Sequence, residues 1–435
     1  MKTNIIIIII VSLLSLTDKA YSQNSLTGNL TLQKAIRLTL KNQPLIKQAE
    51  DEVEAAEAKI KFQKSFYYPD IEANLSYSRI GPVPTIEFGK LSLNLFPANN
   101  YDAYVGAMYN IFDFGKKKAL LNLTKTFKLT ASEKINFIKY NLSYETVKLF
   151  YTILFVEKSL DVKNQQINTL NSHLEITQKK VESGTATDFD VLTTKVRVAS
   201  AENGKADIEN SINKEKIALK SLMGLSSNTP LKIQGNLSLI KQSINLDSLM
   251  ALAFNQREEI KMALDANNSL KMQKQVASLS DMPTLNALVN YGLKNGYMPN
   301  LNALRGNWIV GISANIPIFN GNRKEAQVQE VQANLNANNE QIATLKRKIK
   351  IEVEQAISEL KTSRSQLSTA KLQVEQAKQA LRRARSSYKN GVITNLDLLD
   401  AETSLAEAQF SHLRVIYQNV INTYSLREAV GDVLN

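Results

Sequence analysis

From Leu367 the apolar positions recur at intervals of three and four: Leu367, Ala370, Val374, Ala377, Leu381, Ala384 and Tyr388. The rhythm returns over Leu399, Thr403, Ala406, Phe410, Leu413, Tyr417, Val420 and Tyr424. A mean spacing of about 3.5 residues is a coiled-coil seam, and its alanines let helices approach closely. Residues 116–183 and 322–390 hold no glycine or proline, so each predicts one unbroken helix of about 100 Å at ~1.5 Å per residue. The return stretches, 185–223 and 392–430, would span about 58 Å, and the helical stretches Pro44 to Tyr68 and Arg257 to Met282 about 37 Å. Laid end to end, those two nearly equal the long one. The pattern therefore predicts hairpins in which one long helix pairs with two stacked shorter ones.

Four segments alternate with a period of two instead: Ile71 to Arg79, Tyr101 to Ile111, Leu285 to Leu293 and Asn307 to Ile316. In the second, Tyr101, Ala103, Val105, Ala107, Tyr109 and Ile111 share a face; in the fourth, Trp308, Val310, Ile312, Ala314 and Ile316 do. One-faced alternation over about ten residues is the pattern of a tilted outer-membrane strand. Tyr77, Tyr101, Phe112, Tyr291, Trp308 and Phe319 stand near the strand ends, where an interfacial girdle of aromatics belongs. A small soluble sheet over a core would also alternate. Four strands cannot close on themselves, and an open edge in lipid leaves backbone groups unpaired, so membrane strands would need completion by other subunits.

The chain is written twice. "IFDFGKKKA" from Ile111 answers "IFNGNRKEA" from Ile318, "ESGTATDFDVL" from Glu182 answers "KNGVITNLDLL" from Lys389, and "LKSLMG" from Leu219 answers "LREAVG" from Leu426, each 207 residues apart. "LTLQKAIRLTLKNQPLIK" from Leu30 resembles "INLDSLMALAFNQREEIK" from Ile244 at an offset of 214, which places an insertion between Pro69 and Ile111. A repeat of this length outranks length alone in setting the domain count. The expected organisation is a signal peptide over 1–22, a first repeat over 23–224, a linker or equatorial segment over 225–243, and a second repeat over 244–435. Each repeat would hold a helix, two strands (71–111; 285–316) and a long hairpin (115–223; 322–431).

The start supplies the compartment. Lys2, the apolar run Ile5 to Leu16 and the small-x-small site Ala20-Tyr21-Ser22 form a secretory signal pattern. That run is too short to span a bilayer and has no later counterpart. With no cysteine in the chain, disulfides, thiol catalysis and a cysteine-linked lipid anchor are excluded. The formal charge is +12, or +11 without Lys2, Asp18 and Lys19. Lysines and arginines are spread among glutamates along the helices, with "KRKIKIE" at 346–352 the densest cluster. That distribution reads as a solvated surface, not a nucleic-acid site.

Candidate chemistry is sparse. His173 and His412, the only histidines, lack a nearby acid or metal-ligand pattern and read as packed or surface residues. No phosphate-binding glycine loop occurs, and the methionines are scattered. No enzyme, cofactor or metal site is expected. The remaining feature is the pair of turns at Gly184 and Gly391. Thr187-x-x-Asp190 and Thr394-x-x-Asp397 are helix starts whose aspartates accept amide hydrogen bonds and complement the positive helix end. Asp400, opposite Thr193 in the other copy, has no such local reason and shares a face with Asp397.

This order of features resembles the TolC-like outer-membrane efflux proteins, or outer membrane factors. The resemblance is carried by the duplication, "NQPLIK" from Asn42, the proline before each first strand (Pro69, Pro283), "PIFNGNRKEA" from Pro317 and "YKNGVITNLDLLDAETSL" from Tyr388. It implies a mostly α protein with a small β part: a homotrimer whose twelve strands, four per subunit, form one barrel in the outer membrane, continued by a trimeric α-barrel through the periplasm. The loops Gly81 to Asn100 and Lys294 to Gly306 would face outside, and 29–43 with 225–256 would form a belt. The function implied is a passive exit duct of a tripartite efflux or type I secretion system. A periplasmic adaptor, docking near Gly184, Thr187, Gly391 and Thr394, and an inner-membrane transporter are the implied partners. In such proteins an aspartate ring and two inter-hairpin links close the periplasmic tip. Asp397 and Asp400 match the ring, and Tyr388 and Asp190 match one link. Ile393 and Phe189 stand where the other link would be, so that link is missing. The reading from another class is an exported soluble coiled-coil adaptor or scaffold, which the membrane-like strands oppose.

Overall fold

The protein is described here by a computed structural model covering residues 29–239 and 243–434. The export signal expected over 1–22 lies outside the described residues. Helix α1 (Leu32–Asn42) starts at Thr31, whose side chain accepts from the Lys34 amide. Helix α2 (Pro44–Ser65) follows at once, with Pro44 in its first turn, where proline's missing amide costs nothing. The first long helix, α3 (Lys116–Glu182), runs 67 residues, and its return, α4 (Asp188–Leu222), runs 35. In the second half α5 (Leu246–Gln256) and α6 (Glu258–Ser278) precede α7 (Arg323–Lys389, 67 residues) and α8 (Asn395–Ala429, 35 residues). The stacking expected from lengths is present. Asn42 Nδ2 donates to the Met223 carbonyl at 2.9 Å and Gln43 Nε2 to that of Leu222 at 3.2 Å, so α2 begins where α4 ends. Arg257 does the same for α6 on α8, donating to the Ala429 carbonyl at 3.2 Å.

Packing is divided among several clusters, as a rod requires. Ile349, Val353, Ile357 and Leu360 of α7 pack with Leu249, Ile260 and Leu426. Leu30 and Ala35 pack with Phe150, Ile153, Leu219 and Met223. A third cluster, with Tyr140, Tyr144, Val147, Val420 and Tyr424, joins α3 to α8. Its tyrosines reach the chain end: the Tyr144 hydroxyl donates to the Asp432 carbonyl at 2.7 Å, and that of Tyr140 to the Glu428 carbonyl.

Four strands form one antiparallel sheet in the order β1-β4-β5-β6: β1 (Asp70–Arg79), β4 (Asn99–Phe112), β5 (Thr284–Lys294) and β6 (Arg305–Asn315). Between β1 and β4 the expected loop of 81–100 contains a hairpin of its own, β2 (Thr85–Phe88) with β3 (Leu91–Asn94), which turns at Gly89 with φ 63°. The sequence reading missed it because each strand is four residues long, too short to show a period. The preceding helices stop at Ser65 and Ser278, short of Tyr68 and Met282. Much of the intended belt is helical: α1 lies inside 29–43, and α5 inside 225–256.

Candidate gate at the hairpin tips and the lipid-facing sheet

The two helix turns are built alike. At each, glycine adopts the left-handed region that other residues enter at a cost, Gly184 and Gly391 both at φ 71°. Thr185 then donates back to the Lys180 carbonyl at 2.8 Å, and Val392 to that of Ser387 at 2.9 Å. Three residues later a reciprocal capping box begins the return helix. Asp190 Oδ2 accepts the Thr187 amide at 2.9 Å and hydroxyl at 2.8 Å; Asp397 Oδ2 accepts the same groups of Thr394 at 2.8 and 2.6 Å. The Thr394 hydroxyl, and then its amide, hold the Asp397 carboxyl below the usual range. Asp400 is placed differently: it is exposed, and Arg197 Nη2 of α4 approaches its Oδ1 at 3.4 Å.

Tyr388 is buried between hairpins, but within the chain it is not joined to Asp190, whose carboxylate is committed to Thr187. Lys180 Nζ sits 4.0 Å from its ring centroid and donates to its carbonyl at 2.8 Å, while the His173 ring stands 5.2 Å away. Ile393 packs with Leu381, Tyr388 and Leu398. Phe189, in the first turn of α4, is 71% exposed.

Asn395 and Glu402, which sequence reasoning passed over, and His173, which it read as a packed or surface residue, tie the tip together. Asn395 is buried in the first turn of α8; its Oδ1 meets His173 Nε2 at 2.7 Å. Its amide donates to the Asp190 carbonyl at 3.2 Å and to the Thr193 and Thr194 hydroxyls at 3.3 Å. One side chain thus links α8 to α3 and α4. His173 is packed, and burial pushes its pKa below the usual histidine value, with the Asn395 contact opposing. Glu402 of α8 is 4% exposed, and burial pushes its carboxyl up to about 7 against the opposing pull of Arg385, 3.6 Å away. The Asn395 contacts join residues more than 200 positions apart, and that of Glu402 crosses from α8 to α7, so no local spacing announced them.

The other end of the molecule carries the membrane signal. Ile71, Leu75, Tyr77, Val105, Val289, Tyr291, Trp308, Val310 and Ile312 are all exposed on the sheet, Trp308 at 73%. Tyr77 pairs with Tyr101, Tyr291 with Trp308, and Val289 with Val310, so their side chains lie side by side on one face. Tyr77, Tyr101, Tyr291 and Trp308 stand toward the loop end of the sheet, Phe112 and Phe319 toward the helices; all six are exposed. A soluble sheet would bury such a face against a core. Among the described residues no helix is long and apolar enough to cross a membrane, and no group of three His, Cys, Asp or Glu could hold a metal ion.

Comparison with known proteins agrees with this geometry. TolC of Escherichia coli is 22% identical over 448 residues, spanning 96% of this chain and 85% of that protein. The toluene efflux pump outer membrane protein TtgC of Pseudomonas putida is 21% identical over 92% of this chain and 82% of its own. Among solved structures, CusC superposes with a TM-score of 0.79 at 19% identity, covering 94% of this chain and 96% of its own. VceC of Vibrio cholerae does so at 0.76 and 19%, covering 92% and 96%. The family model described as "Outer membrane efflux protein" matches residues 35–225 and 249–432; with most of its length so matched, the chain belongs to the outer membrane efflux protein family.

Proposed function

We propose that three copies of this chain assemble into a passive outer-membrane exit duct of a tripartite efflux or secretion system, closed at its periplasmic end by the hairpin tips. The observation that carries this reading is the sheet: four strands with one apolar exposed face and two unpaired edges, β1 and β6. Three such sheets joined edge to edge give twelve strands, which leaves no backbone group unpaired in lipid. Helix α4 supports the same assembly. Its inner face, with Thr194, Ala201, Ile212 and Leu219, is buried, while Phe189, Leu192, Val196, Ala199, Asn203 and Ala206 are exposed at spacings of three and four. That is a second coiled-coil seam without a helix on it within the chain, and a neighbouring copy supplies one.

In this assembly Asp397 and Asp400 of three copies gather near the axis at the tip, Tyr388 and the Asp190 helix start hold adjacent hairpins, and the turns at Gly184 and Gly391 meet a periplasmic adaptor. The repeats then divide the chain at 224 and 244, and the aromatics at the strand ends sit at the two lipid interfaces. Energy and cargo selection come from the inner-membrane transporter. Fractionation tests the reading directly: the protein should be extracted from outer membranes by detergent as a cross-linkable trimer that conducts ions in planar bilayers. Recovery as a soluble periplasmic monomer would overturn it.

A further inference from the structure

Behind the second hairpin turn lies a cavity of about 650 Å³ whose wall the gate reading leaves unused. Ile176 and Leu398 make part of it apolar, and Glu402 is its one acidic group. From α3 it is faced by His173 and Lys180, and from α7 by Arg385, Tyr388 and Lys389. Helix α4 reaches the cluster through Asp190, whose charge acts on His173. Lys180 is already engaged with Tyr388. Arg385 alone approaches Glu402, at 3.6 Å from Oε1, and its side chain is half in solvent. Glu402 Oε2 is buried without a partner among the described residues.

A buried carboxylate with one long cation contact and one orphan oxygen is held worse as an anion than as a neutral acid. One turn before it on α8 lie Leu398 and Leu399, and before them Asn395, whose bonds to His173 and to α4 hold the helix start against the neighbouring hairpin. We propose that Glu402 is a proton latch: protonated, it stays in the cavity and keeps the α8 tip docked on α3; ionised, it favours release of that tip. The proposal rests on the channel reading above and assigns its regulation.

The direction follows from linkage. The docked carboxyl holds its proton up to about pH 7, whereas a solvated glutamate loses it near its ordinary value of 4.5. Between those values the docked state binds the extra proton, so docking weakens as pH rises through that window and changes no further above it. His173 acts with the opposite sign. Its lowered value means that docking is complete above the usual 6.5 and is lost as acid protonates the buried ring. Docking is therefore opposed from both sides, by Glu402 as pH rises through its window and by His173 as pH falls below 6.5.

Full-length protein in planar bilayers, with the periplasmic-side pH stepped from 5 to 8, tests this. In wild type Glu402 should favour opening as pH rises, by up to about tenfold per unit for each latch before the offset from His173 below 6.5, and its effect should level off above pH 7. Glu402→Gln, which mimics the neutral acid, should lose that rise and keep only the reversed dependence from His173. Arg385→Gln, at an exposed position, removes the nearest cation and should move the upper end of the window higher. A Glu402→Gln channel that keeps the wild-type rise, or a window unmoved in Arg385→Gln, overturns the latch. Absence of current at every pH counts against the channel reading alone. Amide exchange over 395–402 then decides: pH-dependent protection in wild type that is lost in Glu402→Gln supports the latch, and equal protection in both overturns it.

Discussion

Asn395 shows how much one side chain can hold when both ends of its amide are used. Its oxygen serves His173 and its nitrogen serves three oxygens of α4, all in a buried place. Asn395→Leu should leave the buried His173 ring without its closest partner, at about 1–3 kcal/mol for a stranded buried polar group, while the Asp190 carbonyl keeps the Thr193 and Thr194 hydroxyls. Hydrogen exchange of the first α8 turns should report this as a loss of protection of roughly tenfold or more. Unchanged exchange would mean that leucine packing replaces the hub. The residue beside it, Thr394, was legible in the sequence because a capping box is local: threonine, two residues, aspartate. Asn395 and Glu402 were not legible, since their partners lie on other helices and a helix pattern records only which face is apolar. His173 was legible only as a packed or surface residue, and the bond that makes it structural depends on a chain segment 222 positions away.

Elements were the most readable level because their causes are periodic. The glycine- and proline-free runs 116–183 and 322–390 became helices Lys116–Glu182 and Arg323–Lys389, and the glycines beyond them became the turns. At Gly391 nothing lies within 4 Å of where a Cβ would stand, so a side chain there meets only the backbone penalty of φ 71°. Gly391→Ala should therefore cost about 1–2 kcal/mol, and Gly391→Asn less, read as a shift in thermal unfolding of the tip. Gly292 of β5 is the contrasting case. Opposite Tyr104, a Cβ there would run into the Ala103 carbonyl oxygen and the Tyr104 backbone, so the close approach of β4 and β5 needs glycine. Gly292→Val should block sheet pairing and with it recovery of protein from outer membranes, while the helical content measured by circular dichroism stays near wild type. Wild-type recovery would show that the strands can slide apart without loss. The short β2–β3 hairpin marks the limit of this level: four-residue strands lie below the length at which alternation can be told from chance.

At the scale of the assembled duct the question is which charges ions meet at the tip. Asp397 is spent on its helix start, whereas Asp400 is exposed and, among the described residues, answered by Arg197, 3.4 Å away and itself partly in solvent. An exposed pair of this kind adds about 0–1 kcal/mol to stability, so its effect lies in countercharge and not in folding. Unit charges at about 4 Å in water interact by about 1 kcal/mol, or roughly fivefold in an ion's occupancy. If the proposed trimer gathers three Asp400 carboxylates around its axis, Arg197→Ala should expose them and lower the concentration of divalent cation that half-blocks single-channel current by about that factor. Asp400→Ala should raise it, Asp400→Ala with Asp397→Ala should raise it further, and Asp400→Ala with Arg197→Ala should behave as Asp400→Ala alone. That order of effects is specific to a ring in which Arg197 masks Asp400. If Arg197→Ala instead leaves the block unchanged while Asp400→Ala weakens it, the carboxylates face the pore without their partner, and the ion pair within one chain is broken on assembly. If none of the four variants alters the block, the acidic ring lies off the conduction path, and closure rests on the packed contacts of Tyr388, Ile393 and Leu398.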